Sequence, residues 1–588
     1  MCGIYGRFCF KSDLDLNESY KALDKIKHRG PDGYGFEYGN YLDKRFAIHH
    51  NSTPEKTIDC DPNYFLGHRR LSIVDLSENA FQPMESKCKK YSVIFNGEIY
   101  NFIELKEELL TLGCHFDTDH SDTEVLINSY ATWGADCVNK FRGMFAFAVF
   151  DREQDTLFIA RDRMGQKTLY YELNDESFTF ASELPPIIEF SQKRHINPTA
   201  LNLYLLLGYI PHPHSIFKGI QKLPPATCGT VNLKDQTIEL YEYWDIDSQT
   251  KSKTPDEALA TTHQALLESV KYRLRADVTV GAFISGGTDS TLIVKSIAEL
   301  SKSKFDIYGA DFPNTNRSEK IYIEKAANRY QQNLKLSNID LSHIKNIESI
   351  IDVFDEPFDG ASSIALFDLF KVASQDHKVI LTGDGGDEMF AGYDRYLDFP
   401  KRDKLIKRIQ SLIAPKILLS CLNKFGLLPK KLKSLLTQLQ GDTISNFTGL
   451  NANAAAAGIL KPEYKISDIY KIDTFSEIAT KIKQKKLSTV KALQYLEMKT
   501  ILPGRMLYKL DRFSMFYGVE ARSPFLDHKL AEMAYTLPDE VNIADNIPKS
   551  VLKNILSQDF DDSFVHRDKQ GFGNPLSNWF TKAKDENI

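Results

Sequence analysis

Residues 278–290 read VTVGAFISGGTDS. An apolar, strand-like run (278–284) breaks into the Gly-rich turn SGGTDS at 285–290. The next ten residues, TLIVKSIAEL, place Ile293, Ile297 and Leu300 on one helical face at i, i+4 and i+7. A Gly-rich turn at a helix start presents backbone N–H groups and the positive end of the helix dipole, an arrangement that binds phosphate. The lysine of GxxxxGK[ST] is absent, so this is not a Walker loop. Downstream, residues 305–310 and 378–382 read as strands and residues 319–330 as an amphipathic helix. Such alternation predicts a parallel α/β sheet.

A second loop follows the strand 378–382 and reads GDGGDEMFAGY over 383–393. Asp289 and Asp387 both fall just past the C-terminal end of a predicted strand, where open α/β sheets bind ligands. Hard Mg²⁺ ions prefer carboxylate and phosphate oxygens. The two loops are therefore expected to reach one Mg–ATP, with Asp289 and Asp387 as metal ligands.

The chain has 588 residues, more than one ordinary core holds, and at roughly 150 residues per domain it divides into two to four. Hydrophobic residues at 42% and charged residues at 26% exclude a disordered or collagen-like chain. A net charge of −6 argues against a chain-wide nucleic-acid surface. No apolar run approaches the ~18 residues of a membrane helix. The N-terminus, MCGIYGRFCF, lacks a basic segment followed by an apolar one. Eight cysteines occur without CxxC pairs or zinc-finger spacing. Reduced thiols and a cytoplasmic location, with neither nucleic acid nor membrane as partner, are the expectation.

The first 185 or so residues are rich in short strand-like runs and turns, with helices expected at 103–112 and 123–132. Residues 145–150 and 156–160 flank a turn and suggest a hairpin. This suits an α+β domain of antiparallel sheets layered with helices. Residues 201–255 carry clustered prolines and a strand-like run, 237–244 (TIELYEYW), and are read as a connection with a short hairpin. The expected division is 2–200, 201–255 and 256–588. Beyond Pro400 the chain reads as mostly helical to 439, and 451–458 (NANAAAAG) is the only low-complexity patch.

Cys2 is the most informative single residue. Removal of Met1 would give one residue both a thiol and a free α-amine. The reference pKa of the amine, about 7.7–8.0, lets part of it accept the thiol proton near neutrality. Around it stand HRGPDGYG (28–35), GHRRLSIVD (67–75), FNGEIYN (95–101) and SDTE (121–124). Together with Cys2-Gly3-Ile4 these segments resemble the class II glutamine amidotransferase domain, an N-terminal-nucleophile glutaminase. Attack on a glutamine amide develops an oxyanion, for which the Asn96 amide and the Gly97 N–H are well suited. Arg70 suits the α-carboxylate of glutamine and Asp122 its α-ammonium. The resemblance adds Leu71, Ser72, Ile73, Val74 and Glu98 to the glutamine pocket. His49, His50 and His68 carry no separate chemical logic and are read as structural.

The SGGTDS turn resembles the pyrophosphate loop of ATP pyrophosphatases. With DEPF (355–358), DRFSMFYGVEARSPFLD (511–527) and KQGF (569–572), the whole chain resembles the glutamine-hydrolysing asparagine synthetases of the class B type. That resemblance implies ATP, aspartate and glutamine as substrates, an aspartyl-adenylate intermediate, an internal ammonia tunnel and a homodimer. It gives Ser285, Gly286, Gly287, Asp289 and Ser290 to the pyrophosphate end of ATP. Thr382, Gly383, Phe283 and Ala310 fall at the adenosine end. Lys509 would neutralise charge at the reacting centre, and Asp384 would orient or deprotonate ammonia where relatives carry Glu. Residues 359–365 (DGASSIA) depart from the family's pattern, and the chain ends soon after KQGF. Two other readings follow: the same chemistry on another carboxylate, such as a sugar uronate or a cell-wall peptide, or a silent regulatory or scaffold paralogue.

Overall fold

Strand Gly3–Cys9 begins one residue after Cys2 and lies inside a sheet, paired antiparallel with Tyr64–Arg70 on one side and Ser177–Ala181 on the other. Its faces alternate with period two. Ile4 and Phe8 enter one core, whereas Tyr5 and Cys9 enter another, so the strand packs into a core on each face. The computed structural model describes residues 2–52, 57–190, 194–247, 249–250, 253–313, 315, 318–360, 363–411 and 472–567. The low-complexity patch, KQGF, Cys421 and most of the helical region after Pro400 lie outside these residues. None of the seven described cysteines forms a disulfide.

Gly3–Cys9 belongs to a seven-stranded sheet; a six-stranded one is centred on Tyr91–Ile99, Gly143–Asp151 and Thr156–Arg161. All pairings in both are antiparallel. Ile4, Phe8, Leu66, Ile94, Phe150, Ile159 and Phe178 fill the space between the sheets. Helices Phe102–Thr111 and Asp122–Trp133 cover the outer face of the second sheet through Leu105, Leu109 and Val125. Leu16–Asp24 and Pro198–Leu207 cover that of the first through Leu23 and Ala200. The result is four layers, helix, sheet, sheet and helix, where the sequence predicts antiparallel sheets layered with helices but not the order of the layers.

The segment 201–255, read from sequence as a connection with a short hairpin, contains that hairpin, and its strands complete both sheets. Ile220–Lys222 pairs with Tyr170–Leu173 at the edge of the first sheet. Thr227–Asn232 pairs with Thr156–Arg161, and Thr237–Glu242 closes the hairpin on the outside. Proline clustering hid this, because prolines 211, 213, 224 and 225 interrupt the chain between the strands and leave the strands themselves uninterrupted.

The second unit is built on five parallel strands in the order Asn333–Asn338, Asp306–Asp311, Val280–Phe283, Val379–Leu381, Glu520–Arg522. Helices Thr288–Leu300, Lys320–Arg329 and Ser363–Ala373 make the crossovers. The strand order reverses between Val280–Phe283 and Val379–Leu381. A parallel sheet opens a ligand crevice at such a reversal, beyond the carboxyl ends of the strands. The loops that leave these two strands begin at Ile284 and Thr382, so both acidic motifs meet at the crevice. Among the described residues no helix is long and apolar enough to cross a membrane.

Candidate active sites

Cys2 is buried. Its N–H donates to Asn96 Oδ1 (3.1 Å), its Sγ lies 3.9 Å from the Leu71 carbonyl oxygen, and its own carbonyl accepts from Arg29 Nε (3.1 Å). Burial pushes the thiol above its ordinary range, so at rest the sulfur keeps its proton. Asn96 and Gly97 face Ala146 and Phe145 across the ladder. With its Oδ1 engaged by Cys2, the fully buried Asn96 keeps Nδ2 without a hydrogen-bond partner in the structure. A buried, unsatisfied donor beside a thiol is an arrangement suited to receiving an oxyanion. Gly97 has φ +154°, and a Cβ there would stand 2.1 Å from the Met144 carbonyl oxygen. The position admits no side chain.

Of the predicted glutamine-binding residues, Leu71 places its carbonyl oxygen beside the Cys2 sulfur and Arg70 acts on that sulfur electrostatically. Arg70 is buried, its guanidinium fixed by the carbonyls of Ser77 (2.9 Å) and Asp75 (2.5 Å) and stacked 4.7 Å from the Phe81 ring centre. Leu71 and Ile73 are buried, while Ser72 and Val74 are partly exposed; Ser72 N–H donates to Asp32 Oδ2 (2.7 Å). Asp122 opens helix Asp122–Trp133 and accepts from Ile99 N–H (3.1 Å). Burial pushes its carboxyl up to about 7, against the pull of that N–H. Burial and the Glu520 charge also drive Glu98 well above the usual carboxylate range.

In the second unit Ser285 N–H donates to Ser290 Oγ (3.0 Å) and Gly287 N–H to Ser285 Oγ (3.3 Å), folding the turn over the start of helix Thr288–Leu300. Gly286 holds φ +70° with a would-be Cβ 2.8 Å from Tyr322 Cβ. Thr382 N–H donates to the Arg522 carbonyl (2.8 Å), and its hydroxyl pairs with Ser523 Oγ (3.0 Å). A Cβ on Gly383 would approach Ser290 N to 2.9 Å, so the two loops touch through backbone. Phe283 and Ala310 are buried near the ends of their strands, Phe283 packed edge-on against Phe370. Asp384 and Lys509 face each other electrostatically. Burial raises the carboxyl and lowers the ammonium, and each charge opposes the shift of the other.

Asp289 and Asp387 converge on one cationic atom, Lys549 Nζ, which donates to Asp289 Oδ2 and lies 2.7 Å from Asp387 Oδ1. Two carboxylates aimed at a common cation suit Mg²⁺, which takes one or two protein carboxylates and completes its shell with water and phosphate. No group of three or more His, Cys, Asp or Glu side chains among the described residues forms a fuller cage. The predicted sites thus assemble as two clusters, one around Cys2 and one around the paired loops.

Residues 1–244 match the glutamine amidotransferase domain family, and residues 261–587 match the asparagine synthase family. The chain belongs to the asparagine synthase family. Asparagine synthetase [glutamine-hydrolyzing] 1 of Bacillus subtilis is 30% identical over the whole of this chain and 89% of its own length. Putative asparagine synthetase [glutamine-hydrolyzing] 2 of Methanocaldococcus jannaschii is 33% identical over 69% of this chain and 78% of its own. The amidase chry2 of Gibberella zeae is 24% identical over 97% and 89%. This family member is accordingly a ligase with its own glutamine amidotransferase unit.

Its two sites are joined by residues that sequence reasoning left without roles. Arg29, which holds the Cys2 carbonyl, also makes a two-pronged contact with Asp511 (2.9 and 3.2 Å) and reaches Glu183 (2.7 Å). Asp511 sits two residues from Lys509 on helix Leu507–Phe516. The next residue, Arg512, bridges back to Glu183 (2.8 Å) and to Asp355. Arg522 donates to Glu520 (2.5 Å) and lies 3.3 Å from Glu98. A small cavity lined by Gln166, Lys167, Leu507, Leu510, Asp511, Ala521 and Ser523 adjoins this seam. Arg29, Asp511, Arg512 and Arg522 all stand inside quoted motifs, but nothing local marks their partners. Lys549 stands in no motif.

Proposed function

We propose that this chain makes asparagine, taking nitrogen from glutamine and activating aspartate with Mg–ATP. The reading rests chiefly on helix Leu507–Phe516, which carries both Lys509, opposite Asp384, and Asp511, which holds the arginine on Cys2. One rigid element thereby serves the nucleophile and the nucleotide crevice.

With Met1 removed, the Cys2 α-amine takes the thiol proton and the thiolate attacks the side-chain amide carbon of glutamine. Asn96 Nδ2 and Gly97 N–H receive the oxyanion. The protonated amine returns its proton to the leaving nitrogen, and ammonia departs. Water, deprotonated by the same amine, then cleaves the thioester to glutamate. In the crevice an aspartate β-carboxylate oxygen attacks the α-phosphorus of ATP and expels pyrophosphate toward the N–H groups of 285–290. Mg²⁺ held by Asp289 and Asp387 would supply charge neutralisation for that leaving group. Ammonia reaches the acyl carbon along the seam between the units. Asp384, whose burial raises its proton affinity, takes a proton as the C–N bond forms and AMP leaves, with Lys509 offsetting the negative charge.

Amide-¹⁵N glutamine, Mg–ATP and aspartate are expected to give ¹⁵N-asparagine with one AMP and one pyrophosphate each. Formation of ADP and phosphate would refute the adenylation. A second reading, the same chemistry on another carboxylate, is favoured by the similarity to proteins named amidases. Label in a uronate or cell-wall peptide, with none in asparagine, would select it. A homodimer is the expected assembly, read by light scattering of the full chain.

A further inference from the structure

Lys549 is buried, has left-handed backbone (φ 55°, ψ 35°), and immediately precedes helix Ser550–Leu556. Its ammonium bridges carboxylates delivered by two different strand ends, Asp289 after Val280–Phe283 and Asp387 after Val379–Leu381. The acidic loop is shaped to admit it: a Cβ on Gly392 would stand 1.9 Å from Lys549 Cε and 2.2 Å from Asp387 Oδ1. Gly386 plays the same part for Asp289, whose carboxylate carbon lies 2.5 Å from where its Cβ would be. Two glycines, two carboxylates and one lysine thus form a built site for a single cation.

A divalent metal using those carboxylate oxygens and the ammonium cannot occupy the same point, because like charges at that distance repel strongly in a partly dry site. Nor does a displaced ammonium have reason to return to water when the metal arrives with polyphosphate, which offers it fresh anionic oxygens. We propose that Lys549 is the resident counter-cation of this site: it holds Asp289 and Asp387 together in the empty enzyme, yields them to the metal carried by ATP, and moves onto the phosphates. It is a positioning residue before binding and a nucleotide contact afterwards. The lysine thereby selects metal bound to nucleotide over metal alone. The inference rests on the reading that ATP binds between these loops.

The test uses the full chain. Free Mn²⁺ is titrated by electron paramagnetic resonance without nucleotide, and Mg–ATP affinity is measured by calorimetry. Lys549→Gln should bind Mn²⁺ about tenfold more tightly than wild type and Mg–ATP about tenfold more weakly. Lys549→Arg, which keeps the charge, should not gain Mn²⁺ affinity. A lysine that merely supports the fold would weaken both ligands, and that result overturns the proposal. Acylation of Lys549 in the wild-type protein, read by peptide mass spectrometry, needs no variant. It should rise with Mn²⁺ alone and fall when ATP is added; indifference to saturating Mn²⁺ also overturns the proposal. If wild type fails to bind Mg–ATP, the nucleotide reading falls and this one with it. If Mg–ATP binds but the opposed shifts are missing, only the role of Lys549 falls.

Discussion

At the scale of single residues, the two proposed half-reactions should separate under substitution. Cys2→Ala removes the sulfur and leaves the crevice untouched. Glutamine-dependent synthesis should fall by about 10³-fold or more, while synthesis from added ammonium salt stays within about twofold of wild type. Loss of both would refute the division of labour. Asp122 gives a pH signature. Its carboxyl, pushed up to about 7, is neutral below that pH and then offers no charge to a substrate ammonium. kcat/KM for glutamine should therefore drop as pH falls through about 7, by up to tenfold per unit. Asp122→Asn should be poor at every pH and lack that step. A wild-type profile flat from pH 6 to 8 would remove Asp122 from the binding role.

At the scale of elements, much of the crevice was legible in advance, because strand–loop–helix chemistry is local. The run 278–290 shows its strand, turn and helix in consecutive residues, and all three appear where expected. The conformational demand also sits in the turn itself. Gly286→Ala would force a side chain into left-handed backbone and against Tyr322. It should cost on the order of 1–3 kcal/mol and abolish pyrophosphate release, while glutaminase activity persists. Equal loss of both activities would mean that the turn does not act in the crevice alone. Strands Ile220–Lys222 and Thr227–Asn232 were not legible as sheet members, since their partners Tyr170–Leu173 and Thr156–Arg161 lie far upstream in the chain. Only tertiary pairing decides whether such a hairpin is a linker or the last two strands of a sheet.

At the scale of the whole molecule, the seam between the units is held by charges taken out of water. Arg29, Asp511, Arg512 and Glu183 are all nearly inaccessible. Their pairing spans as many as 482 residues, which is why no motif revealed it. Lys549 and Asp289, 260 apart, were hidden in the same way. Breaking such a pair strands the survivor, so Asp511→Asn should destabilise the protein by about 3–5 kcal/mol. It should also loosen the Cys2 carbonyl and lower the asparagine formed per glutamine hydrolysed. Both are checked by urea unfolding and by the product ratio; an unchanged ratio would make the pair purely structural. High salt should not mimic the substitution, because ions do not screen buried pairs.

Strand Glu520–Arg522 is the last strand of its parallel sheet, and it is buried, with its arginine against Glu98 and Tyr100 of the first unit. The amidotransferase unit therefore acts as a shield for this strand, beside its proposed part in supplying ammonia. A fragment starting near residue 261 would bare a sheet margin and several orphaned charges at once. Expressed by itself it should self-associate, visible as material in the void volume on gel filtration. A soluble, monodisperse fragment would show that the shield is dispensable.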